Sequence, residues 1–148
     1  MSENSRPILC LDFDGVCHSY SSGWQGAAVI PDDPVPGLFE FLDAVKKHFD
    51  ICVFSSRSHQ PGGIEAMRDW FAKHFMLWLI RRYPVYERWD EAGLYPETWD
   101  GSLVHPEWIL FPTVKPSATV TLDDQAITFC GQWPSIEELR AFKPWNRR

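Results

Sequence analysis

The chain has no apolar run approaching the ~20 residues that cross a bilayer, so a membrane-spanning helix is not expected. An excess of positive charge is missing as well. Lys and Arg total 14 against 20 Asp and Glu, for a net charge of −6. A basic face of the kind that tracks a nucleic-acid backbone is therefore not expected. Part of the negative total would also arise if carboxylates were gathered around a cation. Cysteine is sparse: Cys10, Cys17, Cys52 and Cys130 form no CxxC pair and no zinc-like spacing. Cys10 and Cys52 lie inside apolar runs, where a thiol acts as a small hydrophobe, and all four are expected to be reduced. The opening MSENSRP lacks the basic-then-apolar layout of a signal peptide. The expectation is a cytoplasmic protein with no membrane partner.

What the chain does have is aromatic residues, with 8 Trp, 10 Phe and 4 Tyr in 148 residues. The length suits a single domain over 1–148 with one layered core. Ile8-Leu9-Cys10-Leu11 is a continuous apolar run that ends in Asp12-Phe13-Asp14-Gly15. It reads as a strand buried on both faces and closed by a glycine turn. A polar segment follows from Ser19 to Asp33. A helix fits Val35 to Phe49, with Leu38, Leu42, Val45 and Phe49 on one face and Pro36 in its first turn. Ile51-Cys52-Val53-Phe54 is a second buried-strand run, ending at Ser55-Ser56-Arg57, and a second helix fits Ile64 to Phe75. Further strands are expected at Ile109-Leu110-Phe111 and Val120-Thr121-Leu122, the last ending in Asp123-Asp124. Ser135-Ile136-Glu137-Glu138 has the spacing of a capping box and should start a short final helix before Pro144.

Alternating strands and helices imply an α/β fold. The expected architecture is a three-layer, Rossmann-like parallel sheet with helices on both faces. Ligands in such sheets bind beyond the carboxyl ends of the strands. Asp12, Ser55 and Asp123-Asp124 each fall just past such an end, so three polar clusters meet at one sheet edge. Taken singly, each has a plain explanation. Asp-x-Asp-Gly is a common turn sequence, Ser55 could cap its loop, and Lys115 would be a surface lysine. Brought together, two pairs of carboxylates would repel without a cation. Magnesium, which takes one or two carboxylates with water and phosphate, removes that conflict. A lysine and a serine beside it would supply charge and a donor to a phosphoryl group.

In order along the chain, Leu11-Asp12-Phe13-Asp14-Gly15-Val16, Val53-Phe54-Ser55, Lys115 and Leu122-Asp123-Asp124 resemble the four motifs of the haloacid dehalogenase (HAD) superfamily of phosphohydrolases. The resemblance implies Asp12 as the nucleophile that forms an aspartyl-phosphate, and Asp14 as the acid and then the base. It also implies Mg2+ held by the Asp12 side chain, the Asp14 carbonyl and a fourth-motif acid, with Asp124 preferred as direct ligand and Asp123 orienting a bound water. Ser55 and Lys115 would hold the phosphoryl oxygens, Lys115 also restraining Asp12. Ser56 would replace Ser55 if the strand ended one residue later. Arg57 would contact a second phosphate or a substrate carboxylate, or else pair with a surface acid.

The segment from Gly15 to Val35 is too short for a large helical cap, but with Trp24 between Gly23 and Gly26 it could form a flap. The stretch 76–108 holds Trp78, Tyr83, Tyr86, Trp89, Tyr95, Trp99 and Trp108. It reads as a small aromatic lid that stacks a base or as a satellite core. The second is preferred because aromatics are more often used in cores. Arg81, Arg82 and Arg88 keep a nucleotide or polynucleotide phosphate in view. The expected activity is hydrolysis of a small phosphorylated metabolite, a nucleotide or a nucleic-acid end. The motif style is loosely similar to nucleotidase and nucleic-acid-end phosphatase members. The alternatives are a non-catalytic binding module on the same fold, or a permuted receiver-like phosphoacceptor.

Overall fold

The computed structural model describes residues 5–82 and 105–147. Its frame is an all-parallel sheet of four strands: β1 (Ile8–Leu11), β2 (Asp50–Val53), β3 (Ile109–Leu110) and β4 (Val120–Leu122). Their spatial order is β3-β2-β1-β4. The two continuous apolar runs take the centre, and Leu9, Cys10, Leu11, Ile51, Cys52 and Val53 are all buried. This is what burial on both faces demands of sequence. The short runs take the edges, where Leu110, Val120 and Leu122 stay exposed.

The first helix, α1 (Leu38–Val45), is shorter than the apolar stripe predicts. Gly37 stands at its N-cap with φ +87°, a left-handed conformation that cannot belong to the helix, so Pro36 lies outside it. At the other end Phe49 has left the helix but still packs against the core, so the stripe records burial beyond the last turn. The second helix, α2 (Gly63–Arg82), runs further than predicted, because Met76 to Arg82 continue it. Gly63 is required at its start, since a Cβ there would overlap the carbonyl oxygen of Arg57. The final helix, α3 (Ile136–Ala141), begins with the predicted capping box. The Ser135 hydroxyl accepts from the Glu138 amide at 3.1 Å, and the Glu138 carboxylate accepts from the Ser135 amide at 3.0 Å.

The expected helices on both faces are found on one face among the described residues. Leu38, Phe39 and Leu42 of α1 and Met67, Trp70 and Phe71 of α2 share one core with Leu9, Leu11, Ile51 and Val53. Handedness explains why. The steps β1→β2 and β2→β3 move the same way across the sheet, so right-handed crossovers lay both helices on the same side. The return step to β4 would carry the opposite layer, but Phe111 to Thr119 contains no helix, and α3 buries none of its residues.

Trp78 and Trp108 join the aromatic periphery of the core. Trp78 stacks on Phe75 with centroids 5.8 Å apart, and Trp108 meets Phe75 edge-on at 6.0 Å. Both rings are partly buried against the main core. Tyr83, Tyr86, Arg88, Trp89, Tyr95 and Trp99 lie outside the described residues. Cys10, Cys17 and Cys52 are buried free thiols, and Cys130 is an exposed one. No helix among the described residues is long and apolar enough to cross a membrane.

Candidate active site

Register brings the acids together. In the β1–β4 pair Leu11 lies opposite Leu122, so Asp12 and Asp123 leave the sheet at the same level. The Asp12 amide then donates to the Leu122 carbonyl at 2.9 Å, extending the pairing by one step. β2 and β3 are reached by moving one way from β1, while β4 lies on its other side. The Asp12–Asp123 crevice is therefore the point where strand order reverses, the position that binds ligands in open parallel sheets.

The carboxylates of Asp12, Asp123 and Asp124 each place an oxygen within 4.8 Å of the other two. One oxygen of Asp124, Oδ1, is buried without a hydrogen-bond partner. Such a group carries its full desolvation cost, about 1–3 kcal/mol or more for a charge. Gly15 makes room for it. Its φ of +85° suits glycine, and a Cβ there would lie 2.7 Å from the Asp124 carboxyl carbon. Burial pushes the Asp12 carboxyl up to about 8. The neighbouring charges of Asp123 and Asp124 add to the rise, against the Phe13 amide that donates to Asp12 Oδ1 at 2.8 Å. Three acids gathered this closely, one with an orphaned oxygen, form a donor set that a hard cation fits.

Asp14 is held differently. Arg57 grips it with a fork, Nε to Oδ2 at 2.9 Å and Nη2 to Oδ1 at 3.0 Å. His18 Nδ1 lies 2.8 Å from Oδ1. The Asp32 amide donates to His18 Nε2 at 3.1 Å, so the neutral ring carries its proton on Nδ1 and donates it to Asp14. Burial alone would raise the Asp14 carboxyl, but the hydrogen bonds and charges of His18 and Arg57 outweigh it and hold the group below its usual range.

Arg57 is fully buried, and its remaining nitrogen, Nη1, donates to the carbonyls of Gly26, Ala27 and Val29 at 2.8, 2.9 and 3.2 Å. Its guanidinium also lies 4.6 Å from the ring centroid of Trp24. The expected contact of Arg57 with a substrate anion is thereby corrected, because every nitrogen of the fork is already taken. The acid it pairs with is Asp14, itself only 14% exposed, rather than a surface acid. Breaking such a pair from one side costs about 3–5 kcal/mol, because the other charge is left buried.

Ser55 is buried and caps the 3-10 turn Ser56–His59. Its hydroxyl accepts from the Arg57 amide at 3.1 Å, and its amide donates to the Ser58 hydroxyl at 3.1 Å. Capping uses only a lone pair, so the hydroxyl proton remains available to a ligand oxygen. Ser56 is exposed on the first residue of that turn, one step further from the strand end. Lys115 is exposed and forms no ion pair with Asp12, so the expected restraint is absent. Its charge draws the Cys10 thiol down, against the larger rise that burial causes there.

Three residues of the site were not anticipated. His18 stands four residues after Asp14, a spacing that is uninformative without the turn. Asp32 reaches the site only through the loop. Trp145, in the 3-10 turn Trp145–Arg147, donates from its indole to the Gly15 carbonyl at 2.8 Å and clamps the acidic turn from the far end of the chain. Arg81 and Arg82 line a different cavity, of about 560 Å³, with His74, Trp78 and Glu40. No residue of the acidic cluster lines it. No protein-family model, curated protein or solved structure matches the chain.

Proposed function

We propose that the chain is a magnesium-dependent phosphomonoester hydrolase of the HAD type, acting through an aspartyl-phosphate on Asp12. The observation that carries this reading is the cluster of Asp12, Asp123 and Asp124 at the point of strand-order reversal, with Asp124 Oδ1 buried and unpartnered. Mg2+ would be held by the Asp12 carboxylate, the Asp14 carbonyl and Asp124, with Asp123 oriented toward a metal-bound water. When bound it supplies neutralisation of the carboxylates and of the phosphate charge.

Asp12 attacks phosphorus, and the bond to the leaving oxygen breaks as the aspartyl-phosphate forms. Asp14 gives a proton to that oxygen, then takes one from the water that hydrolyses the intermediate. The anionic state that His18 and Arg57 favour suits the second of these roles. For the first, Asp14 takes up a proton from solvent before the leaving oxygen departs. The Ser55 hydroxyl donates to a phosphoryl oxygen, and the exposed Lys115 adds positive charge from its flexible stem. The substrate class is a small phosphorylated metabolite, a nucleotide or a nucleic-acid end.

The test is phosphate release, with and without magnesium, from a panel of aryl phosphate, sugar phosphates, mononucleotides and 3′- or 5′-phosphorylated oligonucleotides. Magnesium-dependent release from at least one class is expected, lost in Asp12→Asn. Release that persists in Asp12→Asn, or none from any class, contradicts the reading.

A further inference from the structure

The loop from Ser19 to Asp33 lies between the acidic turn and α1, and one side chain joins it to Asp14. Arg57 has two sets of partners. Nε and Nη2 hold both oxygens of Asp14, while Nη1 collects the carbonyls of Gly26, Ala27 and Val29 from the loop. Trp24 of the same loop, 46% exposed, stacks on the guanidinium. His18 forms a second tie, bonded to Asp14 through Nδ1 and to the loop through the Asp32 amide. The other end of Arg57 is fixed too, since its amide is capped by Ser55 and its carbonyl lies where only a glycine, Gly63, can pass.

A planar guanidinium cannot keep both sets of bonds if either partner moves by much more than an ångström, because hydrogen bonds weaken steeply with distance and angle. We propose that Arg57 is a positioning residue that makes the seating of the 19–33 loop and the aim of Asp14 a single event, a role that rests on the acid–base reading of Asp14 given above. The loop delivers Asp14 to the leaving group only when Arg57 is bonded on both sides. Trp24 then covers the guanidinium.

Hydrogen exchange separates this coupling from any question of activity. In Asp14→Asn, a substitution outside the loop, amides of residues 23–30 should exchange roughly tenfold or more faster while β1 and β2 keep their protection. Exchange that matches the wild type in that loop overturns the coupling.

Kinetics then tests positioning. A mispositioned acid matters most where the leaving oxygen is a poor leaving group. Arg57→Lys keeps the charge and loses the fork, so it should lower kcat on an alkyl phosphomonoester about tenfold more than on an aryl one, with KM little changed. Trp24→Ala, which opens nothing in the core, should move the same ratio in the same direction, and it carries the kinetic test if Arg57→Lys does not fold. An equal loss on both esters overturns the positioning role. A protein that hydrolyses no phosphomonoester would sink the reading of Asp14 as acid and base, while the exchange measurement would still decide the coupling.

Discussion

Asp12 and Asp14 are two residues apart and have opposite electrostatics. Burial and the neighbouring acids raise Asp12 to about 8, whereas Arg57 and His18 hold Asp14 low. The sign for stability follows directly. A carboxyl raised in the folded state adds stability below its unfolded value, and that stability is lost as pH climbs through the folded value. Metal-free protein should therefore lose the Asp12 contribution between about pH 4 and 8. A divalent cation replaces the proton, so its stabilising effect should grow over the same interval. Thermal unfolding with and without magnesium should show a larger rise in Tm at pH 8 than at pH 5.5. A rise that is equal at both pH values, or larger at the lower one, would remove Asp12 from the ligand set. Asp14 contributes with the opposite sign. Its low folded value adds stability at neutral pH, which is lost as the solution becomes acidic.

The element scale explains how these side chains are aimed. Asp12 and Asp123 sit one step past a strand and Ser55 two, and the turns after Asp12 and Ser55 are fixed by Gly15 and by the Ser55 cap. Gly63 is the clearest case. It opens α2 directly over the Arg57 carbonyl, and any side chain there meets backbone rather than a flexible tip. Gly63→Ala should cost about 2–3 kcal/mol in denaturant unfolding, at the upper range of overpacking, because the arginine turn must shift to admit a methyl group. A cost below about 0.5 kcal/mol, the ordinary value for a surface change, would show that the turn is not tightly held. Such a shift would also disturb Arg57 and, through it, the loop.

For the whole molecule, the sequence was most legible where one local rule operates. The apolar runs Ile8–Leu11 and Ile51–Phe54 gave the central strands Ile8–Leu11 and Asp50–Val53, because a continuous apolar run can be satisfied only where both faces are covered. The second strand starts and ends one residue earlier than its run. The capping box at Ser135 started its helix because its partners are three residues apart. Legibility faded where distant segments decide. The one-sided helical layer follows from strand order, which periodicity does not encode. Arg57 looked like a surface or substrate arginine because nothing local shows that Gly26, Ala27 and Val29 will fold back over it. Lys115 matched a motif in order, yet it stays exposed and makes no ion pair with Asp12. His18 and Trp145 are joined to the site by loop geometry alone.

The central claim is that Asp12 becomes phosphorylated and that Asp14 serves the next step. Wild type and Asp14→Asn can be mixed with magnesium and a turned-over phosphomonoester, quenched in acid and mapped by mass spectrometry. The account predicts a phosphoryl group on the peptide containing Asp12, at higher occupancy in Asp14→Asn because its hydrolysis is slowed. Phosphate turnover with no modified Asp12 peptide, or with the phosphoryl group on another residue, would contradict it.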